Sequence, residues 1–142
     1  MKIRLLALGK IRRAELRTIF EDYVKRISHS CPIEVNEVRD AETAIKRLDA
    51  DRAATALLLD AGGKQHDSES LAKWLGDQRD RGTREVIVVC GDADGFPDSL
   101  RQRVTQKISL SSMTYSHELA RVMLAEQLYR AFAILSGSPY PK

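Results

Sequence analysis

A glutamate and an arginine four residues apart are the first candidates for chemistry in this 142-residue chain. Glu126 and Arg130 lie within an otherwise apolar stripe of the last predicted helix, where i and i+4 side chains are neighbours. Two interpretations stay open. The pair either supports the helix, which is worth about 0.2–0.5 kcal/mol, or it is held at a functional site or a fixed interface contact.

Polar loops after three predicted strands are the second candidates. They follow Leu59, Cys90 and Leu110 and consist of glycine, serine and short polar residues. In sheets of parallel strands, ligands bind beyond the carboxyl ends of the strands. We therefore expect the binding site at these three loops. A nucleotide-dependent oxidoreductase is disfavoured, because no Gly-x-Gly-x-x-Gly follows the first strand.

Neither the cysteines nor the histidines have the spacing of a metal site. Cys31 and Cys90 are 59 positions apart, and His29, His66 and His117 are not clustered near them. We expect both cysteines to be reduced and structural, and we expect no metal.

Short apolar strands alternate with amphipathic helices along the chain. Strands are predicted at residues 3–8, 33–38, 56–59, 86–90 and 107–110, and helices at 16–27, 41–48, 68–78, 99–106 and 117–135. Asp60 and the loop at Gly62 and Gly63 close the third strand. The alternation predicts an α/β fold, one domain over residues 1–142, with a mostly parallel sheet and helices on both faces.

The last predicted helix is apolar on two opposite sides. One side carries Leu119, Val122, Met123, Tyr129 and Ala133, and the other carries Leu124, Leu128, Ala131 and Leu135. Such a helix must be buried on both sides. We expect one side to cover the sheet and the other to meet a second subunit, which predicts a homodimer.

Composition excludes several classes of protein. Apolar residues are 43% and charged residues 30%, which is typical of a globular protein, and the longest apolar runs have five residues. Charges within the first five residues argue against an export signal, so we expect a cytoplasmic protein without a membrane segment. The net charge of +3 divides into +5 over residues 1–26 and −2 over the rest. A basic end can bind a polyanion, but composition alone favours a solvated helix face.

The loop after Leu110 and the helix behind it carry a family resemblance. The residues concerned are Ser109–His117, Arg121-Val122, Ala125-Glu126, Leu128–Ala131 and Pro139-Tyr140, with Leu59-Asp60, Gly63-Lys64, Ser68, Gly91 and Gly95 upstream. With them the chain resembles the bacterial ribosomal large-subunit methyltransferase H family over nearly its whole length, most specifically in its last third.

The resemblance implies a fold and an activity. Members of this family are similar to single-domain SPOUT methyltransferases, which are homodimers with a deep trefoil knot near the carboxyl end. They use S-adenosylmethionine, without a metal, to methylate N3 of a pseudouridine in 23S ribosomal RNA within the assembled ribosome.

The resemblance also assigns roles to individual residues. It places the cofactor against Leu59, Gly91 and a loop made of Ser111, Ser112, Met113, Thr114, Tyr115 and Ser116. The catalytic candidates that it implies are His117, Glu126, Arg130 and Tyr140. Alignment should dominate methyl transfer, while the proton on N3 requires a base or a polarising donor. Arg130 and Lys142 stay charged, so they suit phosphate binding or orientation of the base.

Two residues depart from the family pattern. Asp92 stands where a second glycine is usual, and Pro141 stands where a histidine is usual. Both favour the alternative of a non-catalytic ribosome-binding or assembly protein that retains the fold.

Overall fold

Five parallel strands form one sheet in the computed structural model, which describes residues 1–140. In chain order the strands are Lys2–Leu8 (β1), Ile33–Val38 (β2), Thr55–Gln65 (β3), Glu85–Cys90 (β4) and Lys107–Ser109 (β5). The helices are Ala14–Ser28 (α1), Ala41–Asp49 (α2), Ser68–Asp80 (α3), Asp98–Arg103 (α4) and His117–Ser136 (α5). In space the strand order is β2-β1-β4-β3-β5.

Helices cover both faces of the sheet. Along β1, Ile3 and Leu5 face the layer formed by α1, α3 and α5, whereas Leu6 and Leu8 face the layer formed by α2 and α4. All six residues of β4 are buried, because this strand is central in the sheet and both of its faces are covered. The predicted α/β class with a parallel sheet and two helical layers is confirmed.

Strand β3 continues to Gln65, beyond its predicted end at Leu59. Leu59 and Lys64 both pair with Ile108 on β5, so residues 60–63, which include the predicted loop at Gly62 and Gly63, bulge out of this pairing. Glycine makes this possible, because a Cβ on Gly63 would lie 2.8 Å from the backbone nitrogen of Ile108.

The helix predicted at residues 99–106 is shorter than expected. Helix α4 ends at Arg103, and Val104 is already extended, with φ −120° and ψ 105°. The side chain of Val104 is 2% exposed in the core below α2 and α4. Burial of this β-branched residue in extended backbone accounts for the early end of the helix.

Helix α5 packs against α1 and α3 with most of its apolar residues. Leu124 and Leu128 are 0% and 2% exposed, so this side covers the sheet as predicted. On the other predicted side, Val122 is also buried within the same chain. Only Leu119 and Met123 stay open there, at 41% and 36% exposure.

A buried arginine on α5 links the carboxyl ends of two strands. Arg121 is 1% exposed, and its Nη1 donates to the carbonyl oxygen of Gly9 at 3.0 Å. Its Nη2 lies 3.4 Å from the carbonyl oxygens of Leu8, at the end of β1, and of Gly91, just after β4. The guanidinium group therefore fixes the edge of the sheet where ligands are expected.

A glutamate one turn earlier caps a different helix. The two carboxylate oxygens of Glu118 accept hydrogen bonds from the backbone N–H groups of Arg12 at 2.9 Å and Arg13 at 3.2 Å. Arg13 is the N-cap residue of α1, and its side chain makes no capping hydrogen bond. Helix α5 thus supplies the cap and the negative charge that the N-terminus of α1 needs.

Replacing Gly63 with alanine should destabilise the protein by about 1–3 kcal/mol, because the new Cβ would press on the backbone of β5. Gly62→Ala is the matched control, since its Cβ would meet only the Asp60 side chain, and we expect a change within about 0.5 kcal/mol. Urea unfolding of the three proteins measures both effects. Equal stability of the two variants would contradict the close approach of β3 and β5.

Glu118→Gln should show a pH-dependent loss of stability. Hydrogen bonds from the Arg12 and Arg13 backbone hold the pKa of Glu118 below its ordinary value of 4.5. A depressed pKa stabilises the fold above the unfolded value, and this contribution is lost as pH falls through the folded value. The difference in unfolding free energy between wild type and variant should therefore be large near pH 7 and shrink below about pH 4.

The control for that experiment is Glu69→Gln, because Glu69 is an exposed first-turn residue of α3 that caps no other helix. We expect little change in its unfolding free energy at either pH. If Glu118→Gln lowers the unfolding free energy equally near pH 7 and in acid, the cap does not depend on the charge of the carboxylate.

Candidate active site

A cavity of about 460 Å³ opens at the carboxyl ends of β3, β4 and β5. Of the residues predicted to bind a cofactor, all but Ser112 line it: Leu59, Gly91, Ser111, Met113, Thr114, Tyr115 and Ser116. The structure also brings His117 to this cavity. Parallel pairing of β3 with both β4 and β5 places the three loops side by side.

The residues that line the cavity are mostly apolar, and they include Gly91 and Gly95. Gly91 and Gly95 approach so closely that a Cβ on Gly91 would lie 3.0 Å from the carbonyl oxygen of Gly95. Gly95 has φ +78°, a value that favours glycine. This pair of glycines leaves backbone, rather than side chains, facing the cavity.

Asp92, which departs from the family pattern, lines the cavity and makes hydrogen bonds within its own loop. Its carboxylate accepts a hydrogen bond from the backbone N–H of Asp94 at 2.9 Å. Its carbonyl oxygen accepts another from the N–H of Gly95 at 3.0 Å. The extra carboxylate therefore helps to close the turn between β4 and α4.

Serines at the end of β5 and in the loop that follows it have structural partners. Ser109, the last residue of β5, donates from Oγ to the carbonyl oxygen of Ala61 at 3.1 Å, which ties the start of this loop to β3. Ser111 Oγ accepts from the N–H of Met113 at 3.0 Å, and Ser116 Oγ caps α5 by accepting from the N–H of Leu119 at 3.3 Å. These bonds fix the loop as a wall of the cavity.

Asp60 and Phe96 are among the cavity-lining residues to which sequence reasoning gave no role. Asp60 lies directly after Leu59, and its carboxylate accepts from Arg101 Nη2 at 3.2 Å and from the Gly62 N–H at 3.2 Å. Phe96 lines the same cavity and is 9% exposed. A carboxylate that immediately follows a buried strand is the signal that could have identified Asp60.

Glu126, Arg130 and Tyr140 form a second cluster, on the carboxyl-terminal half of α5 and the residues after it. Glu126 Oε2 accepts from Arg130 Nη2 at 2.8 Å and from the Tyr140 hydroxyl at 2.6 Å, and Oε1 accepts from Gln127 Nε2 at 2.8 Å. The ring of Tyr140 also packs edge-on against Tyr129, with centroids 4.6 Å apart.

The hydrogen bonds of this cluster define what each member can do. Burial raises the pKa of Tyr140, and the hydrogen bond to Glu126 raises it further, so the phenol keeps its proton. The same carboxylate raises the pKa of Arg130. Glu126 therefore holds a hydroxyl donor and a guanidinium in place, and both of its oxygens are already engaged.

Within one chain the two sets of candidates are apart. Glu126 and Arg130 follow His117 on the same helix by nine and thirteen residues. At 1.5 Å per residue these separations are about 14 Å and 20 Å along the axis. Glu126 lines a neighbouring cavity of about 490 Å³, together with Ile19 and Met123. The structure thus joins His117, but not the other catalytic candidates, to the predicted cofactor cavity.

The two cysteines singled out in the sequence are free and buried. Cys90, at the end of β4, lines the cavity, and burial raises the pKa of its thiol to about 11. Among residues 1–140, no group of three or more His, Cys, Asp or Glu side chains is placed to hold a metal ion. No helix in that part of the chain is both long and apolar enough to span a membrane. Pro141 and Lys142 lie outside the described residues.

Comparisons with known proteins agree with this geometry. A family model described as "Predicted SPOUT methyltransferase" matches residues 1–141. A protein of Pelobacter propionicus named ribosomal RNA large subunit methyltransferase H is 42% identical, and the match covers 99% of both chains. A protein of the same name from Koribacter versatilis is 39% identical over 99% of this chain and 97% of its own.

A solved structure extends the agreement to the fold. It is a probable methylase family protein from Haemophilus influenzae Rd KW20, with a TM-score of 0.58 at 9% identity. The match covers 99% of this chain and 70% of the other, and at this identity it supports the fold alone. From the family match and the full-length relatives, the chain belongs to the SPOUT methyltransferases, in the ribosomal RNA large subunit methyltransferase H family.

Proposed function

We propose that this protein is an S-adenosylmethionine-dependent methyltransferase acting on N3 of a pseudouridine in 23S ribosomal RNA, on the assembled ribosome and as a homodimer. The proposal rests on the cavity at the ends of β3, β4 and β5, which Gly91 and Gly95 help to line. It occurs in a chain whose relatives are named ribosomal RNA methyltransferases. The carboxyl-terminal trefoil knot stays a prediction from the resemblance.

The residues of the cavity fit this cofactor. Its volume of about 460 Å³ lies in the range usual for small-molecule sites. Leu59, Phe96 and Met113 offer apolar walls for an adenine ring, and the backbone at Gly91 and Gly95 is open to close contact. When bound, the cofactor supplies a methyl group already activated on a sulfonium, so orientation is the main task left to the protein.

Among the four catalytic candidates, His117 is best placed to receive the proton from N3. It lines the cofactor cavity, and an imidazole nitrogen can act as a general base. Glu126 already accepts three hydrogen bonds, and Tyr140 is held as a donor. We assign to Glu126 the placement of Arg130 and Tyr140, whose charge and hydroxyl group then orient the base or hold a phosphate.

A second subunit would complete the site. Ile19, Leu119 and Met123 are 44%, 41% and 36% exposed, and they form an apolar patch on α1 and α5 between the two sets of candidates. A two-fold contact uses the same patch on both subunits, and an axis that passes near Met123 perpendicular to α5 would lay the two α5 helices antiparallel. His117, six residues before Met123, would then lie about level with Arg130 of the partner subunit, which is seven residues beyond it.

Labelled methyl transfer tests the proposed activity. With 70S ribosomes, free subunits and protein-free 23S RNA as acceptors, we expect incorporation into 70S ribosomes above the other two. Gly91→Val should weaken S-adenosylhomocysteine binding at least about tenfold, because its side chain would press on the Gly95 backbone. Ala53→Val is the control for binding, since Ala53 is exposed before the start of β3 and does not line the cavity.

Each negative result in that experiment has a distinct meaning. Cofactor binding without incorporation into any acceptor would favour the non-catalytic ribosome-binding protein. Equal binding by wild type and Gly91→Val would remove the loop after β4 from the cofactor site. Absence of any cofactor binding would contradict the proposed function itself.

Mixing two inactive variants tests the site shared between subunits. His117→Ala and Arg130→Ala should each lose activity, whereas a mixture that exchanges subunits should regain about a quarter of the wild-type rate. Half of the dimers are then mixed, and each mixed dimer has one intact site of two. Sedimentation verifies that wild type and mixture are dimers. Mixed dimers without recovered activity, or a monomeric wild type, would contradict a shared site.

A further inference from the structure

We propose that a basic groove beside the cofactor cavity binds backbone phosphates of the RNA substrate. The groove lies at the ends of β1 and β2 and encloses about 530 Å³. Lys10, Arg12, Arg17 and Arg39 line it, with Glu37 as its one carboxylate. Phosphate is the ligand class that such an excess of positive charge recognises. The inference rests on the proposed function, because it takes RNA as the substrate.

Two side chains of the groove, those of Lys10 and Arg12, are free to bind an anion from outside the protein. Many basic side chains elsewhere have a close carboxylate, as Lys73 has Asp77 at 2.9 Å. Within the described part of the chain, the side-chain nitrogens of Lys10 and Arg12 form no ion pair within 4.0 Å, and both residues are exposed. Arg39 is 92% exposed, and its nearest acid is Asp40 at 3.8 Å. The groove therefore keeps an unneutralised positive charge.

The backbone that carries these cations is held from beneath by α5. Gly9, with φ +83°, turns the chain out of β1, and its carbonyl oxygen accepts from Arg121. Glu118 accepts from the N–H of Arg12, and Arg17 Nε donates to the carbonyl oxygen of Ile11 at 2.9 Å. A loop fixed in this way loses little conformational entropy when a ligand binds its side chains.

The same contacts tie the groove to the cofactor cavity. His117, which lines the cavity, directly precedes Glu118, which holds the loop of the groove. Leu8 pairs with Val38 on β2, and Ala7 pairs with Cys90 on β4, so groove and cavity open at the same edge of the sheet. Neighbouring strands are about 4.8 Å apart, which puts the groove about one or two strand spacings from β4.

This placement suits the strand that carries the target base. A base entering the cavity brings its flanking phosphates to the edge where Lys10, Arg12 and Arg39 lie. Phosphate contacts fix the register of a nucleic acid without reading its sequence. We therefore expect the groove to position the RNA for methyl transfer and to leave cofactor binding unaffected.

The test compares two pairs of charge-removing substitutions. Lys10→Gln with Arg12→Gln removes two cations from the groove, and Lys25→Gln with Arg47→Gln removes one exposed lysine and one exposed arginine elsewhere. Affinity for protein-free 23S RNA and for ribosomes is measured from about 50 to 200 mM salt. In a plot of log affinity against log salt the slope is negative. We expect its magnitude to be smaller by about one to two in the groove variant, while the control pair keeps the wild-type slope.

Kinetic and binding readouts separate this proposal from the proposed function. The groove variant should raise the KM for RNA with little change in kcat or in S-adenosylhomocysteine affinity. Equal slopes for the groove and control variants would overturn the groove as a phosphate site. A reduced slope with ribosomes but not with protein-free RNA would overturn it too, and would assign the groove to an acidic ribosomal protein. A wild type that binds RNA but transfers no methyl group would instead contradict the proposed function.

Discussion

The site depends on one buried guanidinium that has no carboxylate partner among residues 1–140. Arg121 meets the carbonyl oxygens of Leu8, Gly9 and Gly91, and its Nε is buried without a hydrogen bond to that part of the chain. Burying a charge costs several kcal/mol, and a hydrogen bond to a charged group returns about 1.5–3 kcal/mol. The arrangement is stable only while the ends of β1 and β4 stay where their carbonyl groups converge. The positive charge of Arg121 therefore fixes the backbone at Gly91, which lines the cavity.

The alternation of strands and helices, and with it the fold, could be predicted because it depends on local periodicity. Val86 to Cys90 predicts a buried strand from its residues alone, and the structure places it at the centre of the sheet. The extension of β3 could not be predicted in this way. Gly63 has the local signature of a loop, and the strand resumes directly after it only because Lys64 pairs with Ile108, 44 positions later. Tertiary pairing overrode local propensity at Lys64 and Gln65.

The candidate site also has a part that could be predicted from the sequence and a part that could not. Parallel topology alone leads to the loops after Leu59, Cys90 and Leu110, because strand ends of one sheet meet at one edge. The contacts of Arg121 span more than a hundred positions to Gly9, and no spacing rule predicts them. Periodicity also gave α5 two apolar sides but could not show that the fold itself buries Val122 while Met123 stays exposed. That distinction depends on where α1 and α3 lie.

One helix serves the core, the cofactor cavity and the catalytic candidates, and this explains why its charges are all fixed by hydrogen bonds. Glu118 is satisfied by the N-terminus of α1, Arg121 by strand ends, and Glu126 by Arg130 and Tyr140. The contacts of Glu118 and Arg121 join α5 to the start of α1 and to the ends of β1 and β4. A shift of α5 along its axis would break both sets together, because their partners lie on separate elements. The amino-terminal half of the helix is thus held in one register, which the proposed site at the ends of paired helices would require.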